Sequence, residues 1–252
     1  MTETIHVTAE GDLAVVRLDD GKANTLHLES CRELVRRLDE VAAAGPRAVV
    51  LTGTGGMFSA GVDLRRVHSG GAAYVAEFLP ALSDALLAVF GFPRPVVAAV
   101  NGHAIAGGAV LAAACDQRVL NAAHGRVGIT ELLVGLPFPL AAMEILRCGF
   151  GADILPRLAY TGGTHEGAEA LRLGLADELA EPDAVLGRAK ELANQLALIP
   201  AEAFAHTKAQ LHQPFHERIA EHRTGDDAAV ERMWSSAESA ASIKSYVDTV
   251  LG

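Results

Sequence analysis

The chain has 252 residues, of which 50% are hydrophobic and 21% charged, and its formal net charge is -10. This length suits one large domain, or one domain with a small appendage, and the hydrophobic fraction is sufficient for a full core. The acidic balance argues against nucleic acid as a partner, because a phosphate backbone attracts a basic face. A small ligand that bears phosphate stays possible and would need a local basic patch.

The first residues lack a basic segment followed by an apolar one, so we expect no signal peptide. No apolar run free of turn residues reaches about 18 residues, so we expect no membrane span. The three cysteines, Cys31, Cys115 and Cys148, are far apart and lie in apolar segments. We therefore expect reduced core thiols and a cytoplasmic protein.

The first fifty residues predict the order strand, strand, helix, strand. Two strands, over residues 4–7 and 13–18, are separated by the turn residues Glu10-Gly11-Asp12. Apolar positions from Leu28 to Ala42 have helical spacing, and a glycine–proline pair ends that helix. A buried strand follows over residues 48–52.

A glycine-rich loop from Gly53 to Leu64 follows this strand directly, at the position where ligands contact α/β sheets. The loop matches neither the dinucleotide pattern G-x-G-x-x-G nor a P-loop, and Ser59 is not in a nucleophile elbow. A plain turn is the alternative interpretation. We expect a flexible loop over residues 68–71, then a helix from Tyr74 to Phe90 that Pro80 kinks or splits.

The stretch that begins at Val96 carries the strongest signals. Its β-branched run over residues 96–100 predicts a strand that is buried on both faces, and Asn101-Gly102 then turns the chain. Gly107-Gly108 opens a tightly packed helix. Unpaired N–H groups and the helix dipole at such a start can hold an anion, including one that exists only in a transition state. A second strand is expected over residues 116–120.

Glu131 stands alone in an apolar segment that includes Ile129 and Leu132. A carboxylate in such surroundings is costly unless it has a task or a partner. It could instead cap a helix or pair with Arg126. An anion hole and a lone carboxylate are the two parts needed to move a proton next to a carbonyl group.

The rest of the chain is mostly helical by pattern. We expect an apolar loop over residues 135–139, short helices over 141–148 and 154–159, a helix capped by Thr164 that ends before Gly174, a short strand over 175–179, and a helix over 183–198. From residue 201 to Leu251 the pattern is helical with charged faces. Pro200 is the predicted boundary of this helical region.

Ten histidines raise the possibility of a metal site. His212 and His216 are four residues apart, but Pro214 lies between them, so we expect them not to share a regular helix face. No cysteine is near, and we expect solvated histidines and no metal. Asp116 is interpreted as structural.

Other charged residues lie beside the glycine-rich segments. Lys22, Arg65 and Arg66 form either a patch for phosphates or ordinary solvated charges. His103 and His124 flank the central stretch, and either could line a pocket, although a surface role is the simpler interpretation.

Taken together, these segments resemble the crotonase superfamily, also called the enoyl-CoA hydratase/isomerase superfamily. The resemblance covers nearly the whole chain and rests on Lys22-Ala23-Asn24, Phe58 to Leu64, Pro95 to Gly108, Cys115-Asp116, Gly128 to Gly135 and Ala168 to Leu175. It implies an α/β fold, a spiral of ββα units with a helical C-terminal region. Residues 1–200 would form the spiral core with the acyl-CoA site, and residues 201–252 would serve oligomerisation and cover the active site. Homotrimers, often paired into hexamers, are implied.

The resemblance also implies acyl-CoA thioester substrates, with coenzyme A as part of the substrate and no separate cofactor. The thioester oxygen would lie between the backbone N–H groups of Val62 and Gly107. Contacts with coenzyme A and the substrate map to Lys22, Ala23, Asn24, Ala60, Asp63, Leu64, Val110 and Phe138. Tyr246 maps loosely to an aromatic residue near the coenzyme A of a neighbouring subunit.

Hydratases of this superfamily carry two glutamates, and isomerases that move a double bond from position 3 to position 2 keep one. The first of the two positions is Val110 in this chain, and the second is Glu131. The resemblance therefore implies an isomerase in which Glu131 moves the proton. A hydratase that uses another acid (Asp63 and Glu77 are nearest in the sequence), a different one-base reaction on acyl-CoA and a non-catalytic acyl-CoA-binding protein are the alternatives.

Overall fold

The computed structural model describes residues 3–250. Its strands, in chain order, are β1 (Ile5–Glu10), β2 (Leu13–Leu18), β3 (Thr25–Leu26), β4 (Ala48–Thr52), β5 (Met57–Ser59), β6 (Gly61–Val62), β7 (Val96–Val100), β8 (His103–Ile105), β9 (Gln117–Asn121), β10 (Arg126–Gly128), β11 (Thr164–Glu166) and β12 (Glu178–Ala180). The α-helices are α1 (Leu28–Ala44), α2 (Leu64–Phe90), α3 (Gly107–Ala113), α4 (Leu140–Phe150), α5 (Leu155–Thr161), α6 (Gly167–Arg172), α7 (Val185–Ala197), α8 (Ala201–Trp234) and α9 (Ala237–Val250).

The main sheet has the strand order β1-β2-β4-β7-β9-β12. The β1–β2 pair is an antiparallel hairpin, and the other neighbours are parallel, so helical crossovers connect them. Strands β4 and β7 are buried at every position, which confirms the prediction of strands covered on both faces.

The two faces of the sheet pack into separate apolar clusters. One face, with Val50 and Val97 at its centre, packs against the small side chains Ala189 and Ala193 of α7. The opposite face joins a larger core that includes residues of α1, α2, α3 and α4. The β7 side chains alternate between the two clusters, because successive side chains of a strand point to opposite faces.

A second sheet, with the order β11-β10-β8-β5, lies where the predicted site residues cluster, and β3 pairs with β6 beside it. Strand β8 follows the predicted turn at Asn101-Gly102 directly and was not expected from the sequence. Its three residues are too few to show an apolar period of their own. The turn and β8 together connect the main sheet to the start of α3.

Helix α2 differs from the prediction at both of its expected irregularities. The expected loop over residues 68–71 is helical except at Gly71, whose φ of 57° and ψ of -154° interrupt the helix. Pro80 lies inside the helix, but the non-helical residue is Gly71. Helix α2 is long and apolar enough by composition to cross a membrane, yet half of its most apolar window is buried in this core.

Two further expectations were wrong. Thr164 does not cap a helix, because it begins β11, which pairs antiparallel with β10, and the next helix starts at Gly167. His212 and His216 do share one helix, since α8 continues through Pro214. Both rings pack against Phe90, with centroid distances of 3.9 and 5.2 Å.

The helices after Pro200 pack against the preceding fold. Helix α8 contacts α4 and α2, and α9 contacts α2. Lys208 Nζ lies 2.9 Å from Asp116 Oδ2, which also accepts a hydrogen bond of 2.8 Å from Val96 N. This carboxylate therefore ties α8 to the first residue of β7. The predicted helical pattern ends at Leu251, which lies outside the described residues.

The cysteines are free thiols, with Cys31 and Cys115 buried and Cys148 partly buried. Among residues 3–250, no group of three or more His, Cys, Asp or Glu side chains is arranged to hold a metal ion.

The packing of α4 against α3 depends on a glycine, Gly149 of α4. A Cβ added at Gly149 would lie 2.3 Å from the Ala113 carbonyl oxygen.

We expect Gly149→Ala to lower the free energy of unfolding by about 1–3 kcal/mol, because the added methyl group overpacks the α3–α4 contact. Gly187 in α7 is the matched control, since a Cβ there meets nothing within 4 Å. Gly187→Ala should raise the same quantity by up to about 1 kcal/mol through helix propensity. Urea denaturation measures both, and equal effects of the two variants would contradict the contact.

Candidate active site

Asparagine side chains hold the loops around the site. Asn24 adopts a positive φ of 46° and is buried, and its Nδ2 donates to the Met57 carbonyl oxygen at 2.8 Å. Asn101 accepts from Gly53 N and donates to Gly55 O, both at 2.9 Å. These bonds give the glycine-rich loop 53–60 a defined conformation.

The two glycine segments meet where β6 passes the start of α3. Gly61 has a φ of 80°, and a Cβ added to it would lie 2.7 Å from Gly107 N. A Cβ added to Gly107 would lie 3.7 Å from Val62 N. The backbone amide nitrogens of Val62 and Gly107 are therefore close together, and this approach requires that position 61 carries no side chain.

Ala106 directs the backbone into this contact. It has a φ of 51°, which is strained for a residue with a side chain, and its N–H donates to the Gly128 carbonyl oxygen at 2.8 Å. Helix α3 begins at the next residue, Gly107. The first N–H groups of a helix have no partner within the helix, so the Gly107 amide is suited to bind an acceptor.

Glu131 is the first residue of a short 3₁₀ helix, Glu131–Val134. Its Oε2 atom is buried and has no hydrogen-bond partner among the described residues. Burial raises the pKa of the Glu131 carboxyl group to about 8, and hydrogen bonds to the backbone of Glu131 and Thr130 oppose this effect only partly. Arg126 pairs with Glu166 at 2.8 Å, so the alternative in which it neutralises Glu131 is not what the structure shows.

A cavity of about 500 Å³ joins these features. Val62, Ala106 and Glu131 line it together. The complete lining consists of Ala23, Thr25, Ala60, Val62, Asp63, Leu64, Arg65, Ile105, Ala106, Thr130, Glu131, Val134, Leu136, Trp234 and Tyr246. Its wall is mostly apolar with a few polar groups, which is typical of a small-molecule site.

The structure brings most of the predicted site residues to this cavity. Ala23, Ala60, Val62, Asp63, Leu64, Glu131 and Tyr246 line it, and Gly107 adjoins it behind Ala106. Lys22 is exposed next to this group. The side chain of Asn24 is used within the protein, since it bonds to the loop 53–60.

Val110 and Phe138 lie outside the cavity lining, with exposures of 1% and 8%. Val110, which the resemblance maps to one of the two glutamates of hydratases, is thus a buried apolar residue of the core. The resemblance maps Tyr246 loosely to an aromatic residue near the coenzyme A of a neighbouring subunit. In this structure Tyr246 lines the cavity of its own chain.

The two acids considered as substitutes for the missing glutamate are engaged elsewhere. Asp63 is the N-cap of α2 and accepts hydrogen bonds from Arg65 N and Arg66 N at 3.1 Å. Glu77 is exposed and pairs with Arg32 at 3.1 Å. Of these acids only Asp63 lines the cavity.

Sequence reasoning missed several walls of the cavity. Trp234, at the end of α8, is buried, and its Nε1 donates to the Pro137 carbonyl oxygen at 2.8 Å. Val134 and Leu136 come shortly after Glu131 in the chain. The only tryptophan of a chain, placed in an otherwise charged helix, is a signal that could have identified this wall.

The spiral sheet, the paired glycine segments and the unpartnered, buried carboxylate oxygen of Glu131 define a protein of the crotonase fold. A family model described as enoyl-CoA hydratase/isomerase matches residues 8–250, so the chain belongs to this family. A putative enoyl-CoA hydratase of Thermus thermophilus is 40% identical over 193 residues, which are 75% of this chain and 76% of that protein.

Proteins named as isomerases are also similar to the chain. The mitochondrial enoyl-CoA delta isomerase 1 of Rattus norvegicus is 28% identical over 225 residues, 88% of this chain and 78% of that protein. The crystal structure of human mitochondrial delta3-delta2-enoyl-CoA isomerase superposes with a TM-score of 0.94 at 27% identity, over 99% of this chain and 98% of that one. These matches confirm the predicted crotonase fold.

We expect the stability of the protein to depend on pH through Glu131. Its pKa in the folded chain, about 8, exceeds the ordinary value of 4.5, so the folded state binds a proton that the unfolded state releases between these values. The free energy of unfolding of the wild type should therefore fall relative to that of Glu131→Gln as the pH rises from 4.5 toward 8, and the difference should then level off.

Urea denaturation of both proteins across this pH interval measures the difference. Glu77→Gln removes an exposed carboxylate, whose side chain is 64% exposed, and serves as the control for the loss of one surface charge. Parallel pH profiles of the wild type and Glu131→Gln would show that burial does not raise the pKa of Glu131.

Proposed function

We propose that this member of the enoyl-CoA hydratase/isomerase family shifts the double bond of a 3-enoyl-CoA to the 2-enoyl position. The observation that carries the proposal is the Glu131 carboxylate, which has one buried and unpartnered oxygen in the cavity beside the Val62 and Gly107 amides. An isomerisation of this type needs one base and one site for a developing oxyanion. In this proposal Glu131 would be the base, and the Val62 and Gly107 amides would form the oxyanion site.

In the proposed reaction, Glu131 removes a proton from C2 of the substrate. The C2–H bond breaks, and its electron pair moves into a dienolate whose negative charge lies on the thioester oxygen. Glu131 then returns the proton to C4, and the double bond lies between C2 and C3. Atoms and electrons balance without a water molecule or a cofactor.

The raised pKa of Glu131 supports this role, because a base that accepts and returns a proton works best when its pKa lies near the working pH. A positioned general base contributes about 10²–10⁴-fold to a rate. The amides of Val62 and Gly107 would hold the dienolate oxygen, and one such donor contributes about 10²–10³-fold. The strained backbone at Ala106 keeps this donor in place before the substrate binds.

The residue at Val110 supports isomerisation over hydration. Addition of water to a 2-enoyl thioester needs a group that activates the water and a group that delivers a proton. Val110 can do neither, and Asp63, the other acid considered that lines the cavity, is engaged as the N-cap of α2.

Coenzyme A would enter from the side of the cavity formed by Ala23, Ala60 and Leu64. Lys22 is exposed at this edge, and Arg65 lines the cavity there, so both are placed to approach phosphate groups. These positive charges would give an acidic protein the local basic patch that a coenzyme A ester requires.

Hydration is the second candidate, because the relative that is 40% identical is named a putative enoyl-CoA hydratase. Incubation with 3-enoyl-CoA and, separately, with 2-enoyl-CoA distinguishes the two reactions. We expect the wild type to isomerise the 3-enoyl ester and to hydrate the 2-enoyl ester poorly. Glu131→Gln should lower the isomerisation rate by at least about 10²-fold, since the variant keeps the shape of the side chain and loses the base.

Binding of a saturated acyl-CoA by calorimetry is the control for an intact cavity in Glu131→Gln. Efficient hydration by the wild type would overturn the assignment as an isomerase. Tight binding without turnover of either ester would favour the non-catalytic acyl-CoA-binding protein. Isomerisation that survives in Glu131→Gln would remove Glu131 from the mechanism.

We also propose that the chain assembles into homotrimers, alone or paired into hexamers. Large apolar side chains that are well exposed in the single chain support self-association: Tyr160 is 78%, Leu198 79% and Leu211 67% exposed. Light scattering of the purified protein should give the mass of three or six chains of 26.3 kDa. The mass of one chain would contradict the proposal.

A further inference from the structure

A second cavity of about 300 Å³ lies next to the candidate active site. It shares four wall residues with the first cavity: Ile105, Thr130, Val134 and Tyr246. The side chains of His103, Arg126, Leu133 and Thr164 line only the second cavity. The two spaces are therefore neighbours with a common wall.

Tyr246 differs from the other three residues of this wall. Ile105 precedes the strained Ala106, while Thr130 and Val134 flank the turn that carries Glu131, so all three belong to the frame of the site. Tyr246 comes instead from α9, which packs against that turn. A Cβ added to Gly135 would lie 3.5 Å from Ser242 Oγ of α9, which shows how close this approach is.

The two aromatic walls are held in different ways. The Trp234 side chain is held in place by the hydrogen bond that its Nε1 donates to the Pro137 carbonyl oxygen. Within the described residues, the hydroxyl group of Tyr246 forms no hydrogen bond, and the half-buried ring is held by packing. Of these two aromatic residues, Tyr246 is thus the one that can be replaced without breaking a polar contact.

We propose that Tyr246 determines the length of the acyl chain that the site accepts. This inference rests on the proposed acyl-CoA function. The ring lies in the wall that the two cavities share, and the second cavity would take the distal methylene groups of a longer chain when the ring is absent. Leu133, Val134 and Ile105 give that cavity its apolar surface. Arg126, which pairs with Glu166, is a charged residue of the same lining.

The test is the affinity of the full chain for saturated acyl-CoA esters of increasing length, measured by calorimetry. Saturated esters are not substrates for isomerisation or hydration, so the measurement is independent of which reaction the protein catalyses. Each buried methylene group strengthens binding by roughly fourfold, and the gain stops where the cavity ends. We expect the wild-type affinity to level off at a definite chain length.

Tyr246→Ala should move this limit to longer chains by several carbons, with roughly fourfold tighter binding for each added methylene group. Tyr246→Phe keeps the ring and should keep the wild-type limit. Tyr246→Trp enlarges the wall and should move the limit to shorter chains, so the proposal can be tested even if the alanine variant folds poorly. Trp234→Phe is the control for a change at the other aromatic wall residue, which is held by a hydrogen bond.

The outcomes distinguish a failure of the role proposed for Tyr246 from a failure of the proposed acyl-CoA function. If all four proteins with changes at Tyr246 or Trp234 bind acyl-CoA with the wild-type limit, Tyr246 does not set the chain length, and the acyl-CoA function stands. If the wild type binds no acyl-CoA of any length, the proposed function fails, and this inference fails with it.

Discussion

The backbone of Gly61 lies against the amide of Gly107, and the geometry of the cavity depends on that contact. The two segments are far apart in the sequence, and they can approach only because Gly61 presents no Cβ atom to the amide of Gly107. The approach is held from both sides. Asn24 and Asn101 fix the loop before Gly61, and the strained Ala106 fixes the backbone before Gly107. Two amide nitrogens are thereby brought together by main-chain geometry rather than by side chains.

The proposed reaction needs a base as well as an oxyanion site, and the same packing keeps the Glu131 carboxylate from water. Glu131 follows β10, whose last residue accepts the hydrogen bond from Ala106. The strained turn and the base are therefore linked through one strand. Because the walls around Glu131 are apolar, its ionised form is disfavoured and its pKa is raised. A site with solvated walls would hold the same carboxylate in the same place and give it little tendency to keep a proton.

The parts of the fold that could be predicted from the sequence are those with a strong local signal. The buried strands β4 and β7 and the helix that ends at Gly45 were confirmed, since β-branched runs, helical spacing and a left-handed glycine are local features. Strand β8 and the strand that begins at Thr164 were missed, because three-residue strands exist only through pairing with distant partners. The interruption of α2 was assigned to Pro80, although Gly71 carries it, because a proline tolerated in a helix looks like a break in a sequence.

In the site, too, the residues with a local signal were predicted and those that depend on tertiary packing were not. Glu131, Val62 and Gly107 were predicted from an isolated acid, two glycine loops and a resemblance. The structure places Glu131 and Val62 in the wall of one cavity, and Gly107 adjoins it behind Ala106. Trp234, Leu136 and Val134 were not predicted, since their relevance depends on which helix covers the cavity. That information is a matter of tertiary packing and has no local pattern.

The position of α9 has a consequence for the acid strength of Glu131. The helix is far from Glu131 in the sequence and packs against the 3₁₀ helix that Glu131 begins. A helix that packs as a cover can also open locally without unfolding of the sheet. In the opened form water would reach the carboxylate, the desolvation that raises its pKa would be lost, and Glu131 would become an ordinary, weaker base. The docking of α9, which places Tyr246 in the cavity wall, would thus help to keep the pKa of Glu131 raised.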